Sequence, residues 1–225
     1  MSDGLYTQLL DLACGVFLLA AVLVLWRHEL AAIVRAFALQ GVALAAIALL
    51  LGAHEERGDL TAVGVALGLL RAGVLPYLMR RATAVPADGR GGEEVRETQP
   101  LVTVAASLLT AALLTLLAYA VSRPLTRLAP TPATHALPVG LAVVLIGFFV
   151  LVTRRRAPAQ VVGFLLLDNG ITATAFLATS GVPLIVELGV SFDVLLAVLV
   201  LQILTTRMRE AFGTTDIDDL RELHD

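Results

Sequence analysis

The chain has no lysine, one cysteine and little charge of either sign. A single Cys14 excludes an internal disulfide framework and any clustered cysteine metal or iron–sulfur motif. All 16 basic residues are arginine and the net charge is −3, so the broad basic surface of a nucleic-acid binder is missing. Charged residues make up 16% of the chain, against about 25% in soluble domains. The four histidines, His28, His54, His135 and His224, show no metal-ligand spacing. No phosphate-cradling glycine loop and no nucleophile–base pair stands out. No cofactor, metal or catalytic centre is therefore expected in this chain, and any enzymology would belong to partners. The surroundings of Cys14, Asp11-Leu12-Ala13-Cys14, lack the charged leader and preceding apolar core of a lipoprotein signal. Cys14 reads as helix packing, and the first apolar run reads as a helix that stays.

What the chain does have is apolar length. Hydrophobic residues are 58% of the total and mean hydropathy is +0.86. Runs of ~20 apolar residues are long enough to cross a ~30 Å hydrocarbon core as helices. The pattern predicts an all-α polytopic membrane protein with seven spans: 5–26, 30–53, 60–79, 101–121, 137–153, 158–179 and 183–205. Residues 80–99, rich in Gly, Glu and Arg, read as a solvated inner loop. A connector with Pro124, Pro130 and Pro132 follows the fourth span, and residues 206–225 form an acidic tail. The organisation expected is 1–79 for spans 1–3, 80–100 for the loop, 101–136 for span 4 and its connector, 137–205 for spans 5–7, and 206–225 for the tail.

Arginine distribution orients the chain. With the N-terminus outside, the inner segments hold Arg27, Arg80, Arg81, Arg90, Arg96, Arg154, Arg155, Arg156, Arg207, Arg209 and Arg221. The outer segments hold only Arg57, Arg123 and Arg127. The expectation is N-out, C-in. Spans 1–3 and 5–7 also share a layout in which Gln40-Gly41 takes the place of Asn169-Gly170 and Gly68 that of Asp193. This suggests a duplicated three-helix unit joined by span 4; the alternative is that apolar helices resemble one another.

Three ionisable residues fall deep within spans. At ~1.5 Å rise per residue, Asp168, Asp193 and Arg71 lie ~15–16 Å from the ends of spans 6, 7 and 3, near one midplane. Charge at that depth is costly and calls for a partner. Asn169 and Thr172 lie within one turn of Asp168 and form a polar stripe with it. Thr174 either extends the stripe or bonds back to its own helix. The two readings are a proton or ion path, with Asn169 and Thr172 holding water, and a fixed ion pair that locks packing. Pro76, five residues after Arg71, cannot donate to the Ala72 carbonyl and so frees an acceptor. Gly73 would let another backbone approach. Glu187, a turn or so inside span 7, is a candidate outer mouth or a headgroup residue, and Arg35 can snorkel.

These residues also carry a resemblance. Arg154, Gly163-Phe164, Asp168-Asn169-Gly170, Asp193 and the tail from Asp216 to Leu220, in that order and spacing, resemble hydrogenase-4 component E. The C-terminal part of that family is similar to the K subunit of complex I and the C subunit of Mrp antiporters. Arg71 with Pro76 resembles the family's lysine followed five residues later by proline. The resemblance implies a non-catalytic membrane-arm subunit of a group 4 [NiFe]-hydrogenase or related oxidoreductase complex in a bacterial or archaeal cytoplasmic membrane. Its partners would be antiporter-like membrane subunits and a hydrogenase- or dehydrogenase-type peripheral arm. Such complexes couple electron transfer to proton or sodium translocation. Asp193 aligns with the second of the two intramembrane acids of the K subunit; the first aligns with Leu165, and here the acid stands three residues on, at Asp168. Arginine at 71 keeps its charge where lysine can release a proton, which favours a fixed counter-charge. The expectations are thus an ion-path subunit carrying Asp168, Asp193, Arg71, Asn169 and Thr172, a structural connector, or an Mrp-like antiporter subunit.

Overall fold

The structure is a computed structural model and describes residues 2–27, 29–83, 103–128, 130–154 and 157–179. Residues 80–83, expected to open the inner loop, continue the third span as helix; the rest of that loop, the seventh span with Asp193 and Glu187, and the tail lie outside the described residues. All described secondary structure is helical. The helices are α1 (Asp3–Trp26), α2 (Leu30–His54), α3 (Gly58–Leu67), a π-helical segment (Gly68–Val74), α4 (Leu75–Thr83), α5 (Val104–Leu128), α6 (Pro132–Thr153) and α7 (Ala157–Thr179). The α3–π–α4 run forms one rod, so six described spans are long and apolar enough to cross a membrane.

The first, second, third and sixth spans begin and end within a few residues of expectation. The fourth and fifth are longer at the prolines. Helix α5 runs through Pro124 to Leu128 instead of ending near 121. Membrane helices accept interior proline because neighbouring groups can meet the freed carbonyl. Helix α6 begins at Pro132, not 137. Proline suits a first helical turn, where the missing N–H has no intrahelical partner anyway. Thr131 and Thr134 close a reciprocal cap in front of it: Thr134 N–H donates to Thr131 Oγ1 at 3.2 Å, and Thr131 N–H to Thr134 Oγ1 at 2.9 Å. The α2–α3 turn holds Glu56 at φ 54° and returns Arg57 N–H to Gly52 O at 2.9 Å, a Schellman closure.

Helix α2 packs against α1, the α3–π–α4 rod and α7, and α6 packs against α1, α5 and α7. Two surfaces of small residues set these approaches. Ser107, Ala111, Ala118 and Ser122 form the buried stripe of α5, whose Leu109, Leu113, Leu116 and Leu125 stay exposed for lipid. On α6 and α7, Gly140, Gly147, Gly163 and Gly170 stand seven residues apart on each helix. A Cβ on Gly170 would meet Val144 N at 2.5 Å, one on Gly163 would meet Leu151 N at 2.7 Å, and one on Gly140 would meet Thr174 N at 2.8 Å. Gly147 closes the series against Leu167. The two antiparallel helices therefore touch backbone to backbone along their length.

At the Arg27 end of α1, Arg154 folds back into the bundle. Its Nη2 donates to the carbonyls of Val24 and Leu25, both at 3.3 Å. These carbonyls belong to the last turn, where acceptors outnumber helical donors and a cation is favoured. Cys14 is buried, Arg35 is exposed, and Arg27 lies over the Trp26 ring at 5.4 Å. His54 stacks on Tyr6, ring centroids 3.9 Å apart.

Candidate functional site

The site is assembled by the one irregular helical segment among the described residues. Between Gly68 and Val74 the backbone widens into π-helix, with Leu75 N–H donating five residues back to Leu70 O. Pro76 follows at once, so the register shift ends where a donor is missing. The interruption expected from Pro76 thus takes the form of a wide turn that carries Arg71. Such turns are frequent at functional sites. The close approach expected at Gly73 is not there: a Cβ on Gly73 would meet nothing within 4 Å. The contact is made from the other side, by Gly41 of α2. A Cβ on Gly41 would lie 2.8 Å from both the carbonyl carbon and oxygen of Arg71. Gly73 faces away because residues two apart lie on opposite sides of a helix, and Arg71 occupies the α2 side.

Held there, the Arg71 side chain is 1% exposed and reaches α7. Its Nη1 lies 2.7 Å from Asp168 Oδ2 as an ion pair. The same nitrogen donates to Asn169 Oδ1, and Nη2 donates to Thr172 Oγ1 at 3.1 Å. Asn169 Nδ2 in turn donates to Gln40 Oε1 on α2 at 2.9 Å. Gln40 is 0% exposed and lies ~15 Å along α2 from its first residue, the same depth as the others. Thr174 bonds back to Gly170 O at 2.8 Å, so it does not extend the stripe.

Three spans are therefore joined at one level: the third through Arg71, the second through Gln40, and α7 through Asp168, Asn169 and Thr172. A carboxylate removed from water is tolerated when a cation sits on it and further donors and acceptors complete the set. Asn169 Oδ1 and Thr172 Oγ1, the groups expected to hold water, both accept from Arg71. Gln40 was not expected at the site at all. Its signal was present, since a mid-span amide followed by glycine repeats the Asn169-Gly170 pattern. Among the described residues no group of three or more His, Cys, Asp or Glu is placed to hold a metal.

The arrangement offers one ionisable acid whose charge is matched by a base that cannot deprotonate at accessible pH. Adding a proton to Asp168 would leave Arg71 two neutral acceptors, Asn169 and Thr172. The site can thus change charge by one without abandoning the guanidinium.

No family model and no solved structure matches the chain. It is 52% identical to the uncharacterized protein Rv0085 of Mycobacterium tuberculosis across the full length of both chains. Hydrogenase-4 component E of Escherichia coli K12 and that of Shigella flexneri are each 32% identical over 115 residues. That match covers 51% of this chain and spans about half (53%) of each relative. The chain belongs to the same family as the mycobacterial protein, with a distant relation to hydrogenase-4 component E.

Proposed function

We propose that the chain is a membrane subunit of a hydrogenase-type oxidoreductase complex, and that Asp168 is a step on an ion path through it. The observation that carries the reading is the ion pair of Asp168 with Arg71 in the middle of six apolar spans. Intramembrane acids of this kind are rare and mark proton or ion pathways more often than mere packing. In this reading electron transfer takes place in a peripheral arm, and antiporter-like membrane subunits neighbour the chain. The translocated ion is a proton or sodium, and Asp193 on the seventh expected span is a further acid of the path. The chain lies in a cytoplasmic membrane, N-out and C-in, and supplies no cofactor.

The test is redox-driven proton uptake into inverted membrane vesicles carrying the intact complex with Asp168→Asn. Uptake should fall several-fold at equal complex content. Undiminished uptake, in both the presence and absence of sodium, would remove Asp168 from the path.

A second reading is favoured by the cross-linking itself: Arg71, Asn169 and Gln40 tie three spans together. As a connector, the chain would tolerate Asp168→Asn in pumping assays, while Arg71→Leu would release subunits on a native gel. An Mrp-like antiporter subunit would instead show sodium–proton exchange independent of electron transfer.

A further inference from the structure

The hydrogen bonds of the site run in one forced direction. Arginine can only donate, so Asn169 must present Oδ1 to Arg71. Its Nδ2 then faces α2, and Gln40 must answer with Oε1. That leaves Gln40 Nε2 as the free end of the chain. This amide nitrogen is fully buried and has no hydrogen-bond partner among the described residues. Reversing the Gln40 amide would set two NH2 groups against each other. Reversing both amides would set Asn169 Nδ2 against Arg71. The free end is a donor by necessity.

Buried donors without acceptors are rare and costly, and an ordered water is a usual remedy. One other buried side-chain atom in the described residues lacks a hydrogen bond, and it belongs to the same network. Asp168 Oδ2 is ion-paired with Arg71 Nη1 at 2.7 Å and keeps a lone pair that no other donor among the described residues takes up. The Gln40 nitrogen is a donor without an acceptor, and the Asp168 oxygen is an acceptor with capacity left beside its ion pair. Water, which accepts and donates at once, is the small ligand that matches both. Other acceptor ligands match less well: a carboxylate or phosphate would satisfy Gln40 but repel Asp168, and a metal ion would suit Asp168 but not an N–H.

We propose that Gln40 Nε2 holds an internal water, alone or as the first of a short file, that hydrogen-bonds Asp168. The water is the means by which a proton reaches or leaves that carboxylate from the α2 side. Gln40 is then a positioning residue with two jobs. Its oxygen orients Asn169 and through it Arg71, and its nitrogen fixes the oxygen of the water. The second half rests on the ion-path reading above; the water site itself does not.

Two measurements test the parts separately. The first is a cryo-electron microscopy map of the intact complex, at a resolution that shows ordered waters. It should show density within hydrogen-bond distance of Gln40 Nε2, leading to Asp168. A side chain or carbonyl occupying that position instead would overturn the water site. The second is redox-driven proton uptake in inverted vesicles with Gln40→Met, of similar length but without polar atoms, and with Gln40→Glu, which keeps an oxygen for Asn169. At equal complex content, Gln40→Met should slow uptake about tenfold. Gln40→Glu, which can still hold water, should retain more uptake than Gln40→Met. Wild-type uptake in Gln40→Met would overturn the transfer role while leaving the water standing. If Asp168→Asn also pumps normally, the ion-path reading itself has failed. If water density is present and Gln40→Glu pumps as well as the wild type, the nitrogen's share of the role is overturned.

Discussion

Two amide–glycine pairs, Gln40-Gly41 on α2 and Asn169-Gly170 on α7, use the same two residues' chemistry in different packing. In both, the glycine admits a neighbouring backbone and the adjacent amide turns to the centre. Gly170 admits α6, a regular helix, at Val143 and Val144. Gly41 admits the π-helical turn at Arg71 and Ala72. The amides meet in a hydrogen bond of 2.9 Å. The α7 side is one of four glycine contacts along a seam, and its purpose is closeness. The α2 side also has a row of close contacts, with Gly52 against Thr61 and Gly64 against Leu49, but Gly41 is the one that meets the irregular turn, and its result is the placement of a charge. Close packing along α6–α7 makes α7 a rigid carrier for Asp168. The π turn aims the cation from the opposite wall.

Breaking the cation has the largest expected effect. Arg71→Leu leaves Asp168 buried without its counter-charge, a loss of about 3–5 kcal/mol by analogy with other buried pairs. The expected outcome is loss of the chain from the assembled complex on a native gel. Combining Arg71→Leu with Asp168→Leu should restore much of the assembly, because paired removal leaves no stranded charge, but not the pumping. If the double variant assembles no better than the single one, charge stranding is not the cause.

The glycines come next. Gly41→Ala and Gly170→Ala each drive a methyl into backbone, and overpacking costs about 1–3 kcal/mol. Both should lower the thermal midpoint of the detergent-solubilised complex. Only Gly41→Ala should also alter pumping per assembled complex, since it moves Arg71. Equal effects on both would show that the two sides do not differ in role.

A smaller change is expected from Arg154→Met, which removes the guanidinium from the α1 carboxyl end and with it about 1 kcal/mol. The readout is faster hydrogen exchange in the last turn of α1, with the Arg71 network unaffected. The smallest is Gly73→Ala. Its Cβ would meet nothing within 4 Å, and alanine is the better helix former by up to about 1 kcal/mol. Stability should be unchanged or slightly raised. A loss comparable to that of Gly41→Ala would contradict the assignment of the close approach to α2.

Much of the fold was legible because it follows from composition along one dimension. A span must be apolar for ~20 residues, and that requirement is visible without knowing any neighbour. The exceptions fell on proline. Pro124 lies within a helix and Pro132 starts one, since proline's cost depends on whether other groups meet the freed carbonyl. Arg71, Asp168, Asn169 and Thr172 could be grouped by depth alone, because charge in a bilayer is conspicuous wherever it occurs. Gln40 could not be, because an uncharged amide in a span carries little penalty signal until its partner is known. Arg154 read as a member of a basic turn, whereas its side chain serves α1, some 130 residues earlier in the chain.

The sequence by itself determined that this is a helical membrane chain, where four of its six described spans begin and end to within a few residues, and at what depth Arg71 and Asp168 lie. These depend on local hydropathy and on a constant rise per residue. Only the tertiary structure decided which side chains bond, which glycine bears the close contact, and which way each amide faces. Those outcomes depend on helix rotation and on a π turn that shifts register by one residue. Arg71 lies on the same buried stripe as Leu60, Gly64, Leu67 and Leu75, but which groups of α2 and α7 meet it there is decided by packing.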